Sequence, residues 1–150
     1  MRKILFLDFD GVLHADVDPK GNFSKFPLLE QYLLKMSDIE IVISSSWRES
    51  YSFEELKEFF PVKLRDRIIG ITPILEDGFD HGGRQREIEA FLEAASLNPF
   101  NASWVALDDW AALFDDGCPY LIWVNPARGF GKDEGRILVK WHNAGKRHCL

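Results

Sequence analysis

Asp8 and Asp10 flank one phenylalanine in the segment Lys3 to His14, KILFLDFDGVLH, and Gly11 follows them directly. Two carboxylates this close repel each other and lose hydration wherever the chain buries them. Such a pair needs a compensating charge, most simply a divalent cation. A second acid pair stands at Asp108-Asp109, hydroxyls at Ser44 and Ser45, and arginines at Arg84 and Arg86. Acid pair, hydroxyl, cation and second acid pair are the parts that phosphoryl transfer through an aspartyl phosphate requires. One carboxylate attacks phosphorus while magnesium bridges the acids and a phosphate oxygen. Hydroxyl and cation hold the remaining oxygens, and a second acid protonates the leaving group.

Groups so far apart in sequence need a scaffold that gathers them. Ile4 to Leu7 is a short apolar run that stops on Asp8, which reads as a strand buried on both faces. Ile39 to Ile43 is a second such run and ends in Ser44-Ser45; Ser103 to Leu107 is a third and ends in Asp108-Asp109. Tyr120 to Val124 reads as the last strand, and Arg67 to Leu75 as a short one interrupted at Thr72-Pro73. Helical spacing of apolar residues covers Leu28 to Met36, then Phe53, Leu56, Phe59 and Phe60 behind a Ser52/Glu55 capping box closed by Pro61. A further helix opens at Arg84, carries Ile88, Phe91, Leu92 and Ala95, and is closed by Asn98-Pro99. Asp133 is read as the cap of a last helix carrying Ile137, Leu138 and Trp141 and ended by Gly145. Strands alternating with helices predict a parallel α/β sheet with right-handed crossovers. All its strands end on one edge, so the three polar strand ends converge there, where such sheets keep their ligands.

The bulk composition narrows the function. The chain has 150 residues, 46% hydrophobic and 28% charged, as expected of one soluble domain spanning 1–150. A net charge of −6 argues against wrapping long nucleic acid, though not against gripping one phosphate or one strand end. No run approaches membrane-spanning length and the N-terminus lacks a signal-peptide pattern, so no membrane contact and a cytoplasmic setting are expected. Cys118 and Cys149 form neither a disulfide framework nor a zinc motif. Asp16 and Asp18 look like the opening of a calcium loop, but Lys20 and Pro27 occupy later ligand places, so this segment reads as a solvated loop. Asp115-Asp116 and the basic tail Lys146, Arg147 and His148 read as surface.

With these residues in place the chain resembles the haloacid dehalogenase (HAD) superfamily of phosphatases. DFDGV at 8–12 is similar to the first motif of that family, IVIS at 41–44 to the second, and VALDD at 105–109 to the fourth. The resemblance implies a Rossmann-like parallel sheet sandwiched by helices, with Asp8 as nucleophile and Asp10 as general acid/base. Ser44, with Ser45 beside it, would bind phosphate, and Arg84 or Arg86 would supply the basic third motif. Magnesium would be held by Asp8, the carbonyl of Asp10, Asp108 and the supporting Asp109. SSSWR at 44–48, the Arg-x-x-Glu-Ile pattern at 84–88 and LDDW also resemble the HAD domains associated with RNA-repair (Swiss Army Knife) proteins.

The reading that follows is a magnesium-dependent phosphomonoesterase. Neither Val12 to Glu40 nor Glu49 to Gly83 has room for a full cap domain, which leaves the site open. Cap-less members of the family often act on macromolecular ends or phosphoproteins. The expected partner is therefore a phosphorylated substrate, with a nucleic-acid end or nucleotide preferred over a small metabolite or phosphoprotein. A receiver-like phospho-accepting switch fits less well, because its phosphorylated Asp ends a mid-chain strand, where this chain has Ser44-Ser45. A non-catalytic phosphate-binding relative would usually have lost one of the acids. No GxxxxGK[ST] loop marks a companion kinase. His14 and Trp47 follow motif residues and are candidates to line the pocket, with a core role for Trp47 equally open.

Overall fold

A computed structural model describes residues 1–17 and 21–144. Asp18 and Lys20 of the calcium-loop comparison, the helix stop at Gly145, the tail residues Lys146, Arg147 and His148, and Cys149 lie outside the described residues. Five strands form one parallel sheet: β1 (Arg2–Leu7), β2 (Ile39–Ile43), β3 (Ile68–Ile71), β4 (Ala102–Asp108) and β5 (Leu121–Trp123). Their order is β3-β2-β1-β4-β5. The helices are α1 (Phe26–Lys35), α2 (Phe53–Glu58), α3 (Val62–Arg65), α4 (Gly83–Ala94) and α5 (Lys132–Ala144).

The period-2 alternation of β1 explains how the layers assemble. Leu5 and Leu7 point into a core shared with Leu29, Leu33, Leu56, Leu64 and Leu138, which come from α1, α2, α3 and α5. Ile4 and Phe6 point the other way, into a smaller core with Ile88 of α4 and with Leu113 and Phe114. Phe6 meets Phe91 of α4 and Trp104 of β4 edge to face, at ring-centroid distances of 5.8 and 5.6 Å. The sheet is therefore covered on both faces, and its central strand is apolar throughout its buried length, as parallel sheets require.

The structure refines several element boundaries. Pro61 divides the second helical region into α2 and α3, with the Ser52/Glu55 capping box formed in both directions. Helix α4 stops at Ala94, before Asn98-Pro99, because Ser96 turns left-handed (φ 58°) and the Leu97 amide donates back to the Leu92 carbonyl. Asp133 is not the cap but lies inside the first turn of α5 and pairs with Arg136, while Glu134 reaches back to accept the amide of Gly131, just before the helix. No helix among the described residues is long and apolar enough to cross a membrane. Among the described residues, α1 is the one helix or strand between β1 and β2, and the segment between β3 and α4 holds neither.

Because Phe6 seats α4 on the sheet, Phe6→Ala is expected to cost about 3–5 kcal/mol, read as a fall in the urea midpoint.

Candidate active site

The neighbour relations of the sheet place the site. β1 lies between β2 and β4, with Leu7 in register with Ile43 on one side and Leu107 on the other. The residues that follow, Asp8, Ser44 and Asp108, thus share one edge although they are far apart in sequence. Asp8, Ser44 and Asp108 are all buried. Carboxylate oxygens of Asp8, Asp108 and Asp109 lie within 4.8 Å of one another. Gly11 permits this crowding. Its φ is +76°, and a Cβ there would sit 2.3 Å from an Asp109 carboxylate oxygen.

One guanidinium faces the cluster. Arg84, in the first turn of α4, reaches Asp108 at 2.8 Å and Asp8 at 3.4 Å, with all three side chains nearly inaccessible to solvent. Asp108 also accepts the Trp110 amide at 2.9 Å, and Asp8 accepts the Phe9 amide at 2.9 Å. Burial, then the Asp108 charge, pushes Asp8 well above the ordinary carboxylate range, against the pull of Arg84. Asp108 is raised as well, by burial first, although Arg84 opposes it. Burial alone would lower Arg84, but the Asp108 and Asp8 charges more than reverse this and keep it a fixed cation.

Arg84 is thus the arginine at the site. Arg86, two positions further along the helix, points away to Asp77 and the His81 carbonyl and lies outside the cluster. Of the two alternatives for the basic position, Arg84 is therefore the one placed against the acids and Arg86 is not, since residues two apart on a helix face different sides. The two serines also separate. Ser44 Oγ is buried without a hydrogen-bond partner, whereas Ser45 Oγ caps the short 3-10 turn at Ser46–Glu49 by accepting the Trp47 amide. Asp10 does not join the three-acid cluster through its side chain. Its carboxylate is 54% exposed, with Oδ1 2.9 Å from His14 Nε2 and Oδ2 accepting from Trp47 Nε1 at 2.8 Å. Asp115 and Asp116 are exposed, as expected.

Two further groups complete the edge. Arg48 donates to the carbonyls of Ser44 and Ser45 and pairs with Glu87 of α4 at 2.6 Å, both side chains buried. Glu87 also accepts the Leu75 amide from the loop after β3. The pair fixes the Ser44 turn to the helix that carries Arg84, one turn from Glu87. Thr72, at the end of β3, is buried with its hydroxyl unpartnered and its amide bonded to the Ile43 carbonyl. Sequence reasoning did not assign Arg48, Glu87 or Thr72 a role. The signal was present for the first two in SSSWR and the Arg-x-x-Glu pattern.

The donor set suits a hard divalent cation. Asp8, Asp108 and Asp109 offer oxygen only, and three ionised carboxylates against one guanidinium leave an excess of two negative charges. The Ser44 hydroxyl and Arg84 Nε are both buried without a hydrogen-bond partner, and both are donors suited to an anion.

The family description "HAD domain in Swiss Army Knife RNA repair proteins" matches residues 4–134. The chain belongs to this HAD family. The matched range takes in the whole site of this HAD domain, from Asp8 to Asp109, together with β2 to β5 and β1 from Ile4 onward. No curated protein and no solved structure matches the chain.

Two outcomes follow. Glu87→Ala leaves Arg48 as an unpaired buried cation and is expected to cost about 3–5 kcal/mol, read in urea, with Glu87→Gln milder. Because Asp8 is raised in the folded state, the metal-free protein loses stability from this group as pH rises from the ordinary carboxylate range through the raised value. Asp8→Asn removes that loss. In metal-free solution its thermal midpoint should exceed that of the wild type by more at pH 8 than at pH 5.

Proposed function

We propose that this HAD domain is a magnesium-dependent phosphomonoesterase working through an aspartyl phosphate on Asp8. The observation that carries the reading is the convergence of Asp8, Asp108 and Asp109 on one side of Arg84, beside the unpartnered Ser44 hydroxyl. Asp8, Asp108 and Asp109, with the Asp10 carbonyl, would hold the metal. When bound, magnesium neutralises the crowded acids and draws electron density from a phosphate oxygen.

The chain's own residues divide the remaining work. Arg84 and Ser44 orient the phosphoryl group for in-line attack by an oxygen of Asp8. As that oxygen bonds to phosphorus, the bond to the leaving oxygen breaks, and Asp10 donates its proton there. Asp10 then takes a proton from the water that attacks the phosphorus of the aspartyl phosphate, which frees inorganic phosphate and restores Asp8. Burial of Asp8 limits the access of water to the nucleophile before substrate arrives.

For the substrate we infer a phosphorylated nucleic-acid end. Among the described residues no cap domain covers the site, and a cavity of about 700 Å³ flanks the Asp10–His14 loop, lined by Ala15 and by Lys25, Arg128, Lys132 and Arg136. Asp133 and Glu134 share the lining, yet cations still outnumber acids there, in a chain of net charge −6. Such a surface suits the backbone of a short strand rather than a small neutral sugar. The family's occurrence in RNA repair proteins agrees with this.

Wild type should release phosphate from p-nitrophenyl phosphate only with magnesium, and Asp8→Asn should lower kcat by at least about 1000-fold. A stable acyl phosphate without turnover would instead support a switch. Phosphorylated oligonucleotides should give lower KM than phosphosugars. Lys25→Glu with Arg128→Glu should raise that KM and flatten its salt dependence, while a preference for phosphosugars would overturn the substrate assignment.

A further inference from the structure

We propose that His14 and Trp47 are positioning residues that clamp the Asp10 carboxylate, and that the turn at Gly21–Phe23 closes over them. This rests on the reading of Asp10 as the group that protonates the leaving oxygen. An exposed aspartate on a loop samples several rotamers, and only some direct an oxygen at the scissile bond. Here both oxygens are held: His14 Nε2 lies 2.9 Å from Oδ1, and Trp47 Nε1 donates to Oδ2 at 2.8 Å.

The holders come from two strand ends. His14 follows β1 through a tight turn in which the Val12 and Leu13 amides both donate to the Phe9 carbonyl. Trp47 follows β2, fixed by the Ser45 cap only three residues beyond Ser44. The acid is thereby tied to the same turn that presents the phosphate-binding hydroxyl. Neither ring belongs to the three-acid cluster, so their contribution is separate from binding the metal.

The surroundings are built to keep both rings in place. His14 is 1% exposed, and Phe23 packs at 5.3 Å from both the His14 and the Trp47 ring. Phe23 adopts φ 52°, a conformation unfavourable for a side chain of its size. Gly21, at φ +64°, passes so close that a Cβ would lie 2.8 Å from His14 Cε1 and 3.1 Å from Trp47 Cζ2. The strained turn and the forced glycine act on one object, the pair of rings that grips Asp10.

The test uses leaving groups that differ in their need for a proton. p-Nitrophenolate departs readily as an anion, whereas the phenolate of phenyl phosphate gains more from protonation, and the two substrates have nearly the same shape. Trp47→Phe keeps the ring and removes only the donor; Gly21→Ala perturbs both rings from outside. With saturating magnesium, each variant should lose kcat/KM, which reads the departure of the leaving group and not the later hydrolysis, by about tenfold more on phenyl phosphate than on p-nitrophenyl phosphate. Added to Asp10→Asn, Trp47→Phe should cost nothing further, because both act through the same carboxylate. Equal losses on the two substrates, no loss on either, or a full additional loss in the double variant would overturn the clamp. Undiminished turnover of p-nitrophenyl phosphate by Asp8→Asn would instead overturn the underlying phosphatase reading.

Discussion

The arrangement depends on one electrostatic constraint: three carboxylates gathered at a sheet edge against a single buried guanidinium. Apart from Arg84, the constraint is met by geometry rather than by charge. The edge is the meeting point of β2, β1 and β4, so its spacing is set by strand pairing and cannot relax. Gly11 lets the chain pass against Asp109, the Trp110 amide supports Asp108, and the Arg48–Glu87 pair holds the neighbouring turn to α4. Each device leaves the acids crowded while fixing where they stand. A charge balance left unfavourable in this way is common where stability has been exchanged for a binding or catalytic task.

The same edge separates two acids that look equivalent in the motif. Asp8 is enclosed, raised by burial and faced by Arg84, which suits a nucleophile that works against a metal ion. Asp10, two residues on, has turned out of the cluster toward solvent and is gripped by His14 and Trp47. The role proposed for Asp10, to give and take a proton, needs contact with the leaving group and with water, and an exposed carboxylate is open to both. Contrasting environments for paired carboxylates are how one site assigns acid and nucleophile roles.

Most of the scaffold was legible because its signals are local. Short apolar runs ending in polar residues marked β1, β2 and β4, and parallel topology then required their ends to converge. Motif spacing left the basic position open between Arg84 and Arg86. The structure places Arg84 on the acids because α4 begins at Gly83 and turns Arg86 outward. Long-range partners were less accessible. Nothing local to Trp47 shows that its indole nitrogen meets Asp10, and Arg48 and Glu87 find each other across 39 positions. The same holds for Gly21, whose constraint appears only when the loop is folded onto His14. Patterns such as SSSWR carried these residues without disclosing what they touch.

The central claim is that Asp8 carries the phosphoryl group. Borohydride reduces an acyl phosphate to the alcohol, so trapping the enzyme during turnover and mapping peptides by mass spectrometry reads the attachment point directly. The account predicts homoserine at position 8, appearing only when substrate and magnesium are both present. Homoserine at position 10 or 108, or none at any carboxylate while phosphate is being released, would contradict it.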